Sequence, residues 1–251
     1  CIRDRLVVIW IFYAANGPQT TAVLAGTVRA ATLLALGAMC GMIGERSGVV
    51  NIGIEGQFLL SAFAAFTVAS MTSSLFLGTI AGIGMGLLMG WMLAAMAVGL
   101  KVDQIIAGTV LNIAALGLTS FFYDRSRSLG VGKYTNIDLG PLADIPLVGT
   151  VLFSRPPLTY LTMALLIVVH VALFRSVWGM RTRAIGEHPG AADTVGIDVL
   201  RLRYFNVTIA GGLAGLGGAY LALEAVGTFS RAMSGGRGCL ALAVMIFGRR
   251  T

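Results

Sequence analysis

The sequence has few charged residues for its length. Asp, Glu, Lys and Arg make up 12% of the 251 residues, while 57% are apolar. A soluble domain has about 25% charged residues. Each charge inside the hydrocarbon of a bilayer costs about 3 kcal/mol or more. The shortage of charge therefore argues against an ordinary soluble domain and indicates a chain that lies in lipid.

Cysteine and histidine are also scarce, with three and two residues respectively. Cys40 and Cys239 lie in apolar stretches and the sequence has no CxxC or Cys/His cluster, so we predict no disulfide, no metal site and no cofactor. No segment matches the phosphate-binding pattern GxxxxGK[ST], which excludes an ATPase subunit. The absence of a Ser/His/Asp or paired-Glu constellation disfavours a membrane enzyme.

Long windows without any charge carry the structural prediction. A spanning helix needs about 20 apolar residues, and continuous apolar runs without alternation exclude a membrane barrel. The sequence predicts an all-α, polytopic membrane protein with about eight hydrophobic segments, some of them interrupted by glycine or re-entrant. The longest window holds two helices joined by a turn at 71–74. The windows are 6–28, 30–44, 56–100, 104–123, 156–174, 204–223 and 238–248.

The basic residues predict the orientation. With a cytoplasmic N-terminus and one crossing per run, eleven of the 18 Lys and Arg residues fall at cytoplasmic ends, six fall at outer ends, and Arg29 lies within a span. This bias is typical of membrane proteins. The chain opens without Met and stops directly after an apolar run, so we expect 1–251 to be one membrane domain of a fragment that lacks both ends.

Two hydrophilic connections interrupt the apolar pattern. The connection 124–155 is predicted to be an external loop, and 175–203, with five arginines, is predicted to be cytoplasmic. Within the latter, a proline at a first helical turn and a following glycine predict a short helix over 189–195. Such a helix, held between two spans, suits docking of a partner protein.

A glycine-rich, polar interruption occupies 44–57, and a similar one occupies 234–238. Paired interruptions of this kind indicate a transport path between repeats. Glu45, Arg46, Asn51 and Glu55 then line or brace the path. The alternative is a plain cytoplasmic turn in which Glu45 and Arg46 are solvated.

Four motifs carry a resemblance to a known family. The segment ERSGVVNIGIEG at 45–56 is similar to a signature of permease subunits of ATP-binding-cassette importers, of the simple-sugar and nucleoside type, which are related to ribose and branched-chain amino-acid permeases. DQIIAG at 103–108 with Asn112, the segment 184–197, and 236–248 with its GRG and IFG follow in the family's order. The resemblance covers 20–248, which is nearly the whole chain.

The resemblance implies functional residues. For the translocation path it implies Glu45, Arg46, Asn51, Gly53, Glu55, Gly56, Asn112, Gly236 and Gly238. For coupling to an ATPase it implies Gly186, Glu187, His188, Pro189, Gly190, Ala191, Ala192 and Gly196.

The resemblance also implies a setting in the cell. It predicts a multi-pass permease domain of the bacterial inner membrane that imports nucleosides or related sugar-like solutes. The expected partners are a cytoplasmic ATPase, a second permease subunit, identical or homologous, and an external substrate-binding lipoprotein. A branched-chain amino-acid or ribose permease of the same superfamily is the alternative. An ion-coupled secondary transporter is disfavoured, because no acidic residue lies in the middle of a predicted span.

Overall fold

The computed structural model describes residues 16–123, 132–138 and 149–248. Nearly all of this part of the chain is helical, and its only strands are β1 (Ile137–Asp138) and β2 (Ser154–Arg155), which pair antiparallel. The helices are α1 (Gly17–Arg46), α2 (Ile54–Thr72), α3 (Leu75–Ala94), α4 (Gln104–Tyr123), α5 (Pro157–Arg175), α6 (Val177–Glu187), α7 (Pro189–Thr194), α8 (Val199–Ala219) and α9 (Arg237–Phe247). Wider π-type turns extend α3 over Ala95–Gly99 and α8 over Tyr220–Val226, and another covers Gly149–Phe153.

Six of these helices are long and apolar enough to cross a membrane: α1, α2, α4, α5, and α3 and α8 with their extensions. Together with the shorter α9 they confirm the predicted all-α, polytopic class. The turn at 71–74 is confirmed, since α2 ends at Thr72 and α3 begins at Leu75. The apolar residues before Asn16, and residues 124–131 and 139–148 of the predicted external loop, lie outside the described part.

One end of the bundle is basic. Arg203 at the start of α8 donates hydrogen bonds to the carbonyl oxygens of Ser47 and Ile185, at 3.0 and 3.1 Å. Gly99 lies against the Tyr204 hydroxyl. These contacts place the end of α1, the end of the extended α3, the end of α6 and the start of α8 together. We call this the basic end, and its residues include Arg46, Lys101, Arg175, Arg181, Arg183, Arg201 and Arg203.

The helix α2 begins inside the bundle. After α1 ends at Arg46, residues 47–53 turn back along it, so that Asn51 lies beside Cys40. Phe58, in the second turn of α2, lies against Gly37. Cys40 is six residues before the end of α1, which corresponds to about 9 Å along the helix. The N-terminus of α2 is therefore buried at depth, preceded by a non-helical segment.

The helix α9 begins beside the start of α2, and the chain reaches this point from the opposite end of the bundle. The extended α8 ends at Val226, and the Phe229 ring packs edge-on against Phe63 of α2, with a centroid distance of 5.2 Å. The chain then reaches α9, which packs on α1 through Gly37 and Gly41. At about 1.5 Å per residue, α9 spans only about half of a bilayer core. The two glycine-rich interruptions thus become two helix starts, of which that of α2 is buried and that of α9 is largely exposed.

The centre of the bundle is a close crossing of α3 and α8. A Cβ atom added at Gly215 would lie 2.6 Å from the Gly82 carbonyl oxygen, and one at Gly90 would lie 2.7 Å from that of Val207. Helices approach this closely only where small residues face each other. This crossing forms a rigid scaffold against which α2 packs through Ser61 and Ala62.

Candidate functional site

The buried N-terminus of α2 and the N-terminus of α9 meet at Glu55. Its Oε1 atom accepts a hydrogen bond from the Gly236 backbone N–H at 2.7 Å, and its Oε2 atom accepts one from the Gly238 N–H at 2.6 Å. The first N–H groups of a helix have no intrahelical acceptor and carry a partial positive charge. A carboxylate is the side chain best suited to satisfy them. Glu55, Gly236 and Gly238 are therefore three predicted path residues that lie far apart in sequence and meet in the structure. We call their contact the Glu55 joint.

Asn112 of α4 braces the start of α2. Its Oδ1 atom accepts a hydrogen bond from the Gly56 N–H at 2.7 Å, and its Nδ2 group donates to the Ile52 carbonyl oxygen at 3.0 Å. Gly53 packs on Gly108 of the same helix. The single Asn112 side chain thus replaces backbone partners that the interrupted helix lacks, which brings Gly53, Gly56 and Asn112 to the same place as Glu55.

A cavity of about 270 Å³ opens beside this joint. One wall carries the Glu55 carboxylate, next to Gly235 and Gly236, which adopt positive φ angles of 55° and 79°. The other wall is apolar. A small solute with polar groups on one face and an apolar ring or edge on the other would suit this combination. The cavity is lined by Glu55, Gly56, Leu59, Asn112, Ile113, Leu116, Ala232, Ser234, Gly235 and Gly236.

Asn51 lies next to this cavity without lining it. It is 1% exposed, and its Nδ2 group donates to Gln57 Oε1 at 3.0 Å and to Cys40 Sγ at 3.4 Å. Asn51 therefore joins the non-helical segment to α1 and α2. Of the two roles that the sequence suggests for it, bracing is the one that fits this geometry.

Glu45 and Arg46 lie elsewhere, at the basic end. With Met42, Arg183, Gly186 and Glu187 they line a cavity of about 170 Å³. Gly186 packs directly on the Arg46 carbonyl. The Arg46 guanidinium lies 5.8 Å from the centroid of the Phe174 ring. The structure thus groups these two predicted path residues with the predicted coupling residues of α6.

The segment predicted to couple to an ATPase forms a protruding elbow. The predicted short helix is confirmed as α7, one residue shorter than expected. Glu187, His188, Pro189, Gly190 and Ala191 are exposed, whereas Ala192 is 5% exposed and anchors the elbow. Gly196 leaves the helix with a φ angle of 83°, in the left-handed region that favours glycine. The exposed tip carries small residues that leave room for another protein.

Two residues without a predicted site role hold the segment 47–53, which leads to the joint. Arg203 links α8 to α6 and to Ser47, as described above. Gln104 of α4 accepts a hydrogen bond from the Val50 N–H at 2.7 Å and donates one to the Gly48 carbonyl at 3.4 Å. Both bind the non-helical segment 47–53. Gln104 lies within the DQIIAG motif at 103–108, whereas Arg203 belongs to no motif and contributes to the sequence prediction only as a basic residue at a cytoplasmic end.

Comparison with known proteins identifies related permeases. A Haloferax volcanii protein named as a glucose ABC transporter permease is 36% identical over 230 residues, which is 90% of this chain and 70% of that protein. The guanosine ABC transporter permease NupQ of Bacillus subtilis is 34% identical over 90% of this chain and 75% of its own length. The nucleoside ABC transporter permease NupC of Lactococcus lactis is 36% identical over 83% of this chain and 69% of its own length. No solved structure matches the chain.

The match to a known family extends over nearly the whole chain. The family model described as the permease component of branched-chain amino acid transport systems matches residues 23–251. This range contains the starts of α2 and α9, the elbow and the basic end. The chain is therefore a multi-pass protein of the inner (plasma) membrane, and it belongs to the family of permease components of branched-chain amino acid transport systems.

Proposed function

We propose that this chain is the permease subunit of a binding-protein-dependent, ATP-driven importer that carries nucleosides or related sugar-like solutes. The observation that carries the proposal is the meeting of two interrupted helices at Glu55, beside a cavity. Half-helices whose N-termini converge at depth are typical of solute sites in transporters. The solute class rests on the names of the relatives, which include guanosine, nucleoside and glucose permeases.

The contacts between the elbow and the joint suggest how the permease works. Movement of α6 and α7 would act on Arg203, which holds both Ile185 and Ser47. Ser47 begins the segment 47–53, and that segment ends at the buried start of α2. A shift at the elbow can therefore reach Glu55 through a few directly bonded groups. Alternating access follows if this shift separates α2 from α9 and opens the cavity to one side.

The partners follow from the same arrangement. The basic end is assigned to the cytoplasm by the excess of arginine there, and the connection 175–203 is then the loop that docks a cytoplasmic ATPase. A second permease copy would complete the path, and an external binding protein would deliver the solute. Membership of this family supports an ATPase and a binding protein as partners.

The test is uptake of radiolabelled guanosine, glucose, ribose and leucine by cells that lack the gene, with and without the gene restored. We expect restored uptake of the nucleoside or the sugar, abolished when the Walker lysine of the cognate ATPase is replaced. Uptake of leucine alone would indicate the amino-acid alternative. Uptake that persists without ATPase activity and disappears with an ionophore would indicate a secondary transporter and contradict the proposal.

A pair of variants tests the site itself. Gly56→Leu places a side chain against Asn112, since even a Cβ atom there would lie 2.9 Å from Asn112 Cα. Gly84→Leu is the matched control, because a Cβ atom at Gly84 meets nothing within 4 Å. We expect Gly56→Leu to lose uptake and Gly84→Leu to keep it, at equal amounts in the membrane. Equal uptake by both variants would show that the joint is not part of the path.

A further inference from the structure

A separate cavity of about 590 Å³ lies at the basic end, away from the Glu55 joint. It is bounded by α6, by the loop 195–198 and by the first two turns of α8. Because α8 is a membrane span that begins at Val199, this cavity lies where the chain enters the membrane. That is the depth at which lipid headgroups are found.

The lining of the cavity combines two chemistries. Arg181 and Arg201 supply guanidinium groups, and both residues are exposed. Val177, Val195 and Phe205 supply apolar surface, with exposed fractions of 60%, 79% and 53%. Trp178 closes the inner wall, held in place by the hydrogen bond from its Nε1–H to Asn206 Oδ1 at 3.0 Å. An occupant must therefore be both anionic and apolar.

The charge balance favours an anion. Asp198 is the only acidic residue in the lining. Its carboxylate is already engaged, since it accepts from the Arg201 N–H at 3.0 Å and pairs with Arg201 Nε at 2.9 Å. The pair uses the Nε atom of Arg201, whose side chain is 90% exposed, so its terminal nitrogen atoms remain accessible. Arg181 carries the uncompensated charge of the lining, so the cavity has a net positive charge.

We propose that this cavity binds one anionic phospholipid. Its phosphate would lie between Arg181 and Arg201, because guanidinium groups bind phosphate oxygens with paired hydrogen bonds. Its acyl chains would lie along Val177, Leu202 and Phe205 and continue into the bilayer. Basic pockets at the ends of membrane helices are suited to anionic headgroups. The occupant is a lipid rather than free phosphate, because phosphate alone would leave the apolar wall exposed to water.

The location of this site predicts which parts of the protein a bound lipid would stabilise. It lies between the elbow and the start of α8, so a bound lipid would hold Trp178 and the loop that follows α7. Loss of the lipid would loosen the elbow without changing the Glu55 joint.

The experiment is native mass spectrometry of the permease alone, released from nanodiscs of equal phosphatidylglycerol and phosphatidylcholine. The wild type should retain one phosphatidylglycerol in preference to phosphatidylcholine. The double variant Arg181→Gln/Arg201→Gln should retain about fivefold less for each guanidinium removed. Arg175→Gln, exposed at the same end and outside the cavity, is the matched control and should behave as the wild type. Added glycerol phosphate should not displace the lipid.

A second variant tests the same cavity by a change that should leave the fold intact. Val195→Asp adds a carboxylate to the cavity at a side chain that is 79% exposed, so the fold should be kept and lipid retention lost. Equal retention by the wild type and the double variant would overturn the proposal, as would an equal loss in Arg175→Gln or displacement by glycerol phosphate. Loss of ATPase binding in the double variant with unchanged lipid retention would assign the cavity to the ATPase instead, and would overturn it too.

Discussion

The Glu55 carboxylate accepts a hydrogen bond from the Gly238 backbone N–H at 2.6 Å, although 183 residues separate them. This contact joins the start of α2 to the start of α9 at the depth where both helices are interrupted. A Cβ atom at Gly238 would lie 2.6 Å from the Glu55 backbone nitrogen. Only glycine at this position allows the two helix starts to approach so closely. The joint therefore depends on both residue types.

Replacing Glu55 with Gln should weaken the joint. The amide keeps one oxygen, but its NH₂ group would face the N–H of Gly236 or Gly238, and two donors cannot bond each other. Hydrogen bonds to a charged group contribute about 1.5–3 kcal/mol each. We expect membrane insertion to be retained, thermal stability in detergent to fall by several degrees, and uptake to fall at least tenfold.

The control for this change is Glu187→Gln, which removes the same charge from an exposed position on the elbow. Its thermal stability should equal that of the wild type. If Glu55→Gln keeps both wild-type stability and wild-type uptake, the Glu55 contacts have no role in transport.

Gly236 should tolerate residues according to backbone conformation rather than size. Its φ angle is 79°, and a Cβ atom there would meet nothing within 4 Å. Asparagine adopts left-handed conformations at small cost, whereas β-branched residues do so rarely. We expect Gly236→Asn to keep most of the uptake and Gly236→Val to lose it. Equal uptake by the two variants, measured at equal membrane amounts, would contradict the left-handed assignment.

The fold class could be predicted from the sequence because a helix that crosses lipid must be long, apolar and nearly free of charge. Charge-free windows predicted the spans, and the glycine-rich motifs predicted that 44–57 and 234–238 are interruptions. The pairing of Glu55 with Gly238 was not predicted, because no local pattern encodes contacts between distant segments. The grouping of Glu45 and Arg46 with α6 was missed for the same reason. Glu45 and Arg46 lie close to Glu55 in sequence, which suggested that all three belong to one site. The segment 47–53 turns back along α1, however, and places Glu55 several helical residues away from Glu45 and Arg46.

Arg203 should couple the elbow to the segment 47–53. Arg203→Met keeps an unbranched apolar stem and removes the hydrogen bonds to the Ser47 and Ile185 carbonyl oxygens. Ser47 and Ile185 are both buried, so the loss of these bonds should lower thermal stability, and the rates are compared at equal amounts of folded protein. We expect ATP hydrolysis by the reconstituted complex to continue while uptake falls. Arg175→Met, exposed at the same end, should change neither rate, and a fall in both variants would indicate a general effect of charge.

The α3–α8 crossing should be the least tolerant part of the scaffold. A Cβ atom at Gly86 would lie 2.6 Å from the Gly215 backbone nitrogen. Overpacking of this kind costs about 1–3 kcal/mol or more, because backbone atoms cannot move aside as side chains do. Gly86→Val should reduce the amount of folded protein in membranes, measured by fluorescence-detected size exclusion. Gly84→Val, two residues away on an open face, should not.

The last prediction concerns the tip of the elbow. Ala191 is exposed on α7, next to Gly190, where a Cβ atom would meet nothing within 4 Å. An isolated helix of six residues is unstable in water, and here the buried Ala192 and the neighbouring α6 hold it in place. Ala191→Glu should therefore leave the permease folded. At a packed interface, however, a new charge in a small contact position costs more than about 1 kcal/mol.

The measurement is ATP hydrolysis by the reconstituted complex, with and without the loaded binding protein. Ala191→Glu should remove the stimulation by binding protein, either because the ATPase no longer associates or because its closure no longer reaches α6. Ala191→Ser keeps a small side chain and should retain stimulation. Ser230→Glu adds the same carboxylate at an exposed position on the opposite end of the bundle and should not affect ATPase association. If Ala191→Glu retains full stimulation and uptake, the elbow is not the coupling element, and the contacts that lead from Arg203 to Glu55 do not transmit movement of the ATPase.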